Sequence, residues 1–326
     1  MGRRSDQVVK MKVAFLFPGQ GSQIVGMGKE FYENYEYARA LFEKANSLLE
    51  PEFSSLVFNG PQEKLNLTEN TQPSILTTSL AAFKCLMSQI SGNLEPAYVA
   101  GHSLGEYSAY VAAGSISFED AVVAVRKRAK FMQEAVKVGE GAMAALIGIE
   151  YDTVVKVCEE VSKNGVVVPA NDNAPGQIVI AGQKEAVEKA VELAKQNGCK
   201  KAVFLPVSAP FHSPLMKPAR EKMENVLKEI HFSNPNPPCV ANVTAKPVFN
   251  SEDARELLIR QIDSPVKWRE TLIFLKESGV DTLVEIGPQT VLLGLAKRVS
   301  KDWKLLNVED LKSLEETVIT LLGGSK

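Results

Sequence analysis

Ser103 stands in Gly101-His102-Ser103-Leu104-Gly105, after the apolar run Ala97-Tyr98-Val99-Ala100 and before an alanine-rich stretch. A strand, then Gly-x-Ser-x-Gly, then a helix is the pattern of a nucleophile elbow, a sharp turn that exposes a serine hydroxyl. Both glycines are needed because backbone approaches backbone there, and a Cβ would clash. The turn leaves the serine at a helix N-terminus, where free N–H groups can stabilise an oxyanion. The plainer alternative is a strand-to-helix turn whose serine only caps the helix.

A serine hydroxyl is a weak nucleophile at neutral pH and needs a base. The chain has three histidines, so the choice is small. His102 adjoins the serine, and side chains of neighbours on a tight elbow point apart; a packing or supporting role suits it better. His231 precedes a polar Asn/Pro loop and reads as a solvated residue. His212 lies in Ser208-Ala209-Pro210-Phe211-His212-Ser213-Pro214, a proline-flanked loop whose Ser-Pro starts a helix. It is the candidate base. A hydrolase would also need a carboxylate to orient the histidine. Asp263, Asp281 and Glu285 are candidates, and spacing selects none of them.

A helix expected over 117–136 carries Val122, Val125, Ala129, Met132 and Val136 on one stripe. Arg128 lies nearest that stripe, while Lys127 points away. An arginine beside a buried face either snorkels to solvent or pairs with a particular anion, and spacing alone leaves both open.

The elements that must position these groups suggest an α/β protein. Val13–Phe17 reads as a buried strand stopping at Pro18-Gly19-Gln20-Gly21. Two phosphate-loop patterns fail there: Ile24 replaces the third glycine of a dinucleotide fingerprint, and Glu30 follows Gly28-Lys29 where a Walker loop needs Ser or Thr. Helices are expected over 35–49, 73–90 and 254–262, and a strand over 282–286. Between them, strands over 142–149, 166–170, 177–181 and 201–206 alternate with helices over 153–162 and 184–197. Residues 171–176 read as turn-forming. This βαββαβ order is that of a ferredoxin-like unit. It divides the chain into a large domain (11–138 and 207–326), an inserted small lobe (139–206) and a frayed N-terminal extension (1–10), with Met11 an equally good initiator.

A net charge of −2 offers no global field for nucleic acid. The four cysteines are widely spaced, which argues against a disulfide framework or a zinc site. No apolar run reaches the length of a membrane span, and the apolar run after the polar first ten residues is too short for a signal-peptide core. These features together suggest a cytoplasmic protein with no metal and no bound cofactor.

Taken together, Phe17-Pro18-Gly19-Gln20-Gly21-Ser22-Gln23, the elbow through Glu106, Arg128 with Phe131-Met132-Gln133-Glu134, residues 171–182, His212 and residues 261–268 resemble the malonyl-CoA:acyl carrier protein transacylases. The resemblance runs from Met11 through nearly the whole chain. It implies an α/β-hydrolase-like large domain with an inserted ferredoxin-like lobe. It further implies Ser103 as the acylated nucleophile, His212 as its base, and the main-chain carbonyl of Gln261 in place of the orienting carboxylate. The backbone N–H groups of Gln20 and Leu104 would form the oxyanion hole, and Arg128 would bind the malonyl carboxylate. Phe211 matches the malonyl-selective form of the motif. The implied partners are malonyl-CoA and an acidic acyl carrier protein, with no nucleic acid and no membrane. Lys200, Lys201, Lys217, Arg220 and Lys222 are candidates for a local basic docking patch. Three readings stand side by side: malonyl transfer in fatty-acid synthesis or in polyketide synthesis, a serine thioesterase or esterase, and a non-catalytic docking module.

Overall fold

The computed structural model describes residues 11–90 and 92–323; the extension expected over 1–10 lies outside the described residues. Two sheets organise the chain. The strands are β1 (Val13–Phe17), β2 (Tyr98–Gly101), β3 (Gly141–Ile147), β4 (Val167–Ala174), β5 (Gln177–Gln183), β6 (Lys201–Phe204), β7 (Cys239–Val240), β8 (Pro247–Val248), β9 (Thr282–Ile286) and β10 (Lys304–Val308). The larger sheet has the order β10-β9-β1-β2-β7-β8, parallel except for β8.

A parallel sheet is covered on both faces, so its strands read as unbroken apolar runs. In β1, side chains alternate: Val13, Phe15 and Phe17 enter one core, Ala14 and Leu16 the other. The first core is closed by helices Thr68–Ile90, Gly105–Ala112 and Phe118–Glu134, the second by Trp268–Glu277 and Val291–Val299.

The smaller sheet, β4-β5-β3-β6, is antiparallel. Ala142, Ala144, Leu146, Ile178 and Ile180 face helices Tyr151–Val161 and Lys184–Gln196. The opposite face supplies Met143, Val179 and Ala181 to the first core of the larger sheet. The two sheets are therefore packed together, not strung on a linker.

Two expectations need correction. The segment 171–176 was expected to turn, but β4 runs on through Ala174, leaving only Pro175 and Gly176 as the turn. Register shifts at Asn171 and Ala174 accommodate the polar residues, and Asn171 also forms a parallel bridge with Val266. The helix expected to start at Pro73 begins at Thr68. Proline costs that helix a donor, yet its first turn is tied down by Asn70 Nδ2 to the Lys64 carbonyl (2.9 Å) and Thr71 Oγ1 to the Leu65 carbonyl (2.6 Å). Among the described residues, no helix is long and apolar enough to cross a membrane.

Candidate active site

The elbow forms where β2 ends. Added Cβ atoms would lie 1.9 Å from the Gly105 carbonyl oxygen at Gly101 and 2.2 Å from the Phe17 carbonyl oxygen at Gly105, so neither position accepts a side chain. Ser103 sits at φ 53° and His212 at φ 57°, both in the left-handed region that costs a non-glycine residue about 1–3 kcal/mol. Two strained residues 109 positions apart meet: Ser103 Oγ lies 2.7 Å from His212 Nε2.

The histidine's tautomer follows from its other bond. Nδ1 lies 2.9 Å from the Gln261 main-chain carbonyl, which can only accept, so Nδ1 carries the proton and Nε2 receives the serine hydroxyl. Burial holds the imidazole pKa down at about 3, with the nearby Arg128 charge adding to the effect. It is therefore neutral and ready to act as a base. None of the three candidate acids bonds to it. Glu285 accepts the backbone N–H groups of Leu292 and Leu293, Asp263 pairs with Arg220, and Asp281 accepts from the Lys12 backbone.

Arg128 is buried, so it does not snorkel to solvent. Its Nη1 donates to Gln72 Oε1 at 2.8 Å; its Nη2 donates to Gln261 Oε1 at 2.9 Å and to Ser103 Oγ at 3.1 Å. Among the described residues no carboxylate is in salt-bridge contact with it. Gln20, Leu104 and Phe211 join Ser103, Arg128 and His212 around a cavity of about 330 Å³. The backbone N–H groups of Gln20 and Leu104 make no hydrogen bond among the described residues, whereas the Ser103 N–H is taken by Asn242 Oδ1 at 2.8 Å.

The chain matches the acyl transferase domain family over residues 14–320. The chain belongs to this family. Over 311 residues the transferase is 49% identical to the malonyl CoA-acyl carrier protein transacylase of Bacillus subtilis (strain 168), covering 95% of this chain and 97% of the relative. It is 48% identical over 286 residues to that of Escherichia coli (strain K12), covering 88% and 92%. In three dimensions it resembles the acyl-carrier-protein S-malonyltransferase of Bartonella henselae with a TM-score of 0.92 at 46% identity, covering 96% of this chain and 100% of that one. It also resembles a malonyl-transacylase solved with a type II PKS acyl-carrier protein, with a TM-score of 0.91 at 43% identity, covering 95% and 99%. The mixed α/β fold with its parallel sheet is shared with these structures.

The other two histidines stand apart from the base. His102 Nε2 contacts Asn173 Oδ1 at 2.7 Å and its ring meets Trp268 edge-on; His231 is exposed. Of the basic residues expected near the mouth, Lys217, Arg220 and Lys222 pair with Glu221, Asp263 and Glu134. Lys200 and Lys201, which lead into the cavity wall at Leu205, have no such acidic partner among the described residues. Sequence reasoning assigned no role to Gln72, Asn242 or Glu106. For Glu106 a signal existed: an acidic residue beside the second elbow glycine, on a segment that otherwise reads as buried.

Proposed function

We propose that the transferase moves a malonyl group from malonyl-CoA to the phosphopantetheine thiol of an acyl carrier protein, through a malonyl-serine at Ser103. The observation that carries this reading is the buried Arg128 guanidinium within 3.1 Å of Ser103 Oγ and, among the described residues, without a carboxylate partner. A cation buried without a counter-ion is costly, and a bidentate pair with the substrate's free carboxylate resolves that cost.

In the first half-reaction Ser103 passes its proton to His212 Nε2 while Oγ attacks the thioester carbonyl. The backbone N–H groups of Gln20 and Leu104 are free to receive the oxyanion; losing one such donor costs ~3 kcal/mol in comparable sites. The CoA thiolate leaves with the proton from His212. In the second half-reaction the carrier's thiol gives its proton to His212 and attacks the acyl-serine, and His212 returns that proton to the departing Ser103 Oγ, which restores the enzyme. Phe211, in the cavity wall beside the base, fits a pocket for an unbranched malonyl group.

The Gln261 carbonyl on His212 favours transfer over the thioesterase reading, which requires a carboxylate there and no Arg128. The βαββαβ order and the β4-β5-β3-β6 arrangement support a ferredoxin-like lobe over 139–206, inserted in an α/β-hydrolase-like domain over 11–138 and 207–326. Four free, buried cysteines support a reducing, cytoplasmic setting.

Intact-mass spectrometry after mixing with malonyl-CoA tests the function. A malonyl adduct is expected on the wild type, absent from Ser103→Ala and discharged by the carrier's thiol. Rapid free malonate without carrier would indicate a hydrolase, and no adduct would indicate a docking module.

A further inference from the structure

Beneath the elbow lies a buried polar cluster that the acyl-transfer steps leave unused. Glu106 is fully enclosed. Its Oε2 accepts the Gln261 side-chain amide at 2.8 Å and the Asn242 backbone N–H at 3.3 Å, while Oε1 has no hydrogen-bond partner among the described residues. Gln261 is the junction. Its Nε2 also donates to the Ser103 carbonyl at 2.7 Å, its Oε1 accepts Arg128 Nη2, and its main-chain carbonyl holds His212.

A side-chain amide has a donor end and an acceptor end, and what surrounds it decides which way round it sits. Turned over, Gln261 would set its NH₂ against the guanidinium, donor against donor, and its carbonyl against the Glu106 carboxyl. Glu106 opposes that arrangement, because its Oε2 also accepts the Asn242 N–H and so faces Gln261 as an acceptor, with the carboxyl proton left to Oε1. Without it, Nε2 keeps the Ser103 carbonyl and a distant contact to Asn242 Oδ1 at 3.4 Å.

We propose that Glu106 is a positioning residue: by holding the Gln261 amide in one orientation, it sets the Arg128 guanidinium for the acyl carboxylate and so sustains the preference for malonyl over acetyl. This rests on malonyl transfer as the function. Arg128 and Glu106 do not touch, so the influence passes through a neutral amide. Misplacing a recognition group by a fraction of an ångström is enough to alter transition-state binding.

The test compares kcat/KM for Ser103 acylation by malonyl-CoA and by acetyl-CoA in the full-length wild type, Glu106→Ala and Glu106→Gln. Glu106→Ala is expected to lower the malonyl-to-acetyl ratio roughly tenfold, with the loss on the malonyl side. Glu106→Gln, whose side-chain carbonyl can still accept from Gln261, is expected to keep the ratio within about twofold. A role in packing alone would reduce both donors together, and an unchanged ratio in a folded Glu106→Ala overturns the proposal. If that variant does not fold, Glu106→Asp moves the acceptor one methylene away from Gln261. It too must lower the ratio, and an unchanged ratio again overturns the idea. A wild type that forms no malonyl-serine would instead overturn the function itself, so the two failures are distinguishable.

Discussion

His212, the proposed base, has a basicity that depends on a neighbour's charge. Burial and Arg128 both disfavour the imidazolium, so the free enzyme keeps its base neutral down to about pH 3. Removing the guanidinium removes one of those two causes, so the folded pKa rises. Arg128→Ala should therefore move the acid limb of the kcat/KM profile to higher pH, measured with acetyl-CoA so that no substrate carboxylate intervenes. An unmoved limb would mean that the two groups do not couple. Glu106 behaves in the opposite sense. Burial pushes its carboxyl up to about 8, above its ordinary value of 4.5. Between those values the unfolded chain binds fewer protons than the folded one, so this group's contribution to stability falls as pH rises. Thermal melts from pH 5 to 8 should show wild type declining relative to Glu106→Gln, which has nothing to ionise.

Among the elements, the elbow tolerates the least change. At Gly105 a methyl group would meet the Phe17 carbonyl, a backbone atom that cannot swing aside. Gly105→Ala should cost roughly 3 kcal/mol, the upper range for an overpacked site, and should separate Ser103 from His212. Chemical denaturation together with the acylation rate checks both effects. The Phe118–Glu134 helix is capped by Ser117, whose hydroxyl accepts the Asp120 N–H at 3.0 Å, which sets the start of the stripe bearing Arg128. Its start and its apolar face were legible because capping and periodicity are local. The true start of Thr68–Ile90 was not. Side-chain bonds from Asn70 and Thr71 to the preceding helix extend it past a proline that local rules treat as a beginning.

At the scale of the whole molecule, the cavity has walls from both sheets: Met143, Asn171 and Leu205 from the smaller unit face Ser103 and Arg128 from the larger. Besides the β4 bridge to Val266, a buried carboxylate ties the two together. Asp172 receives Arg269 Nε at 2.9 and 3.0 Å and Nη2 at 2.8 Å. Arg269 is partly exposed, so the pair is worth less than a fully buried one. Asp172→Ala should cost about 1–2 kcal/mol on that discounted basis and raise KM for malonyl-CoA as the wall loosens. A melting temperature and KM both equal to wild type would show that this ion pair does not hold the two units together.

The sequence by itself determined the elbow, the buried runs of the parallel sheet and the βαββαβ order, because each rests on chain geometry over a few residues. With only three histidines, it also narrowed the candidate base to His212. The tertiary structure alone decided what lies against what. It buried Arg128 with no carboxylate against it among the described residues, held His212 with a main-chain carbonyl that no residue type could announce, and turned Glu106 inward beneath Ser103. Those facts depend on distances between residues more than a hundred positions apart, and local chain geometry carries no record of them.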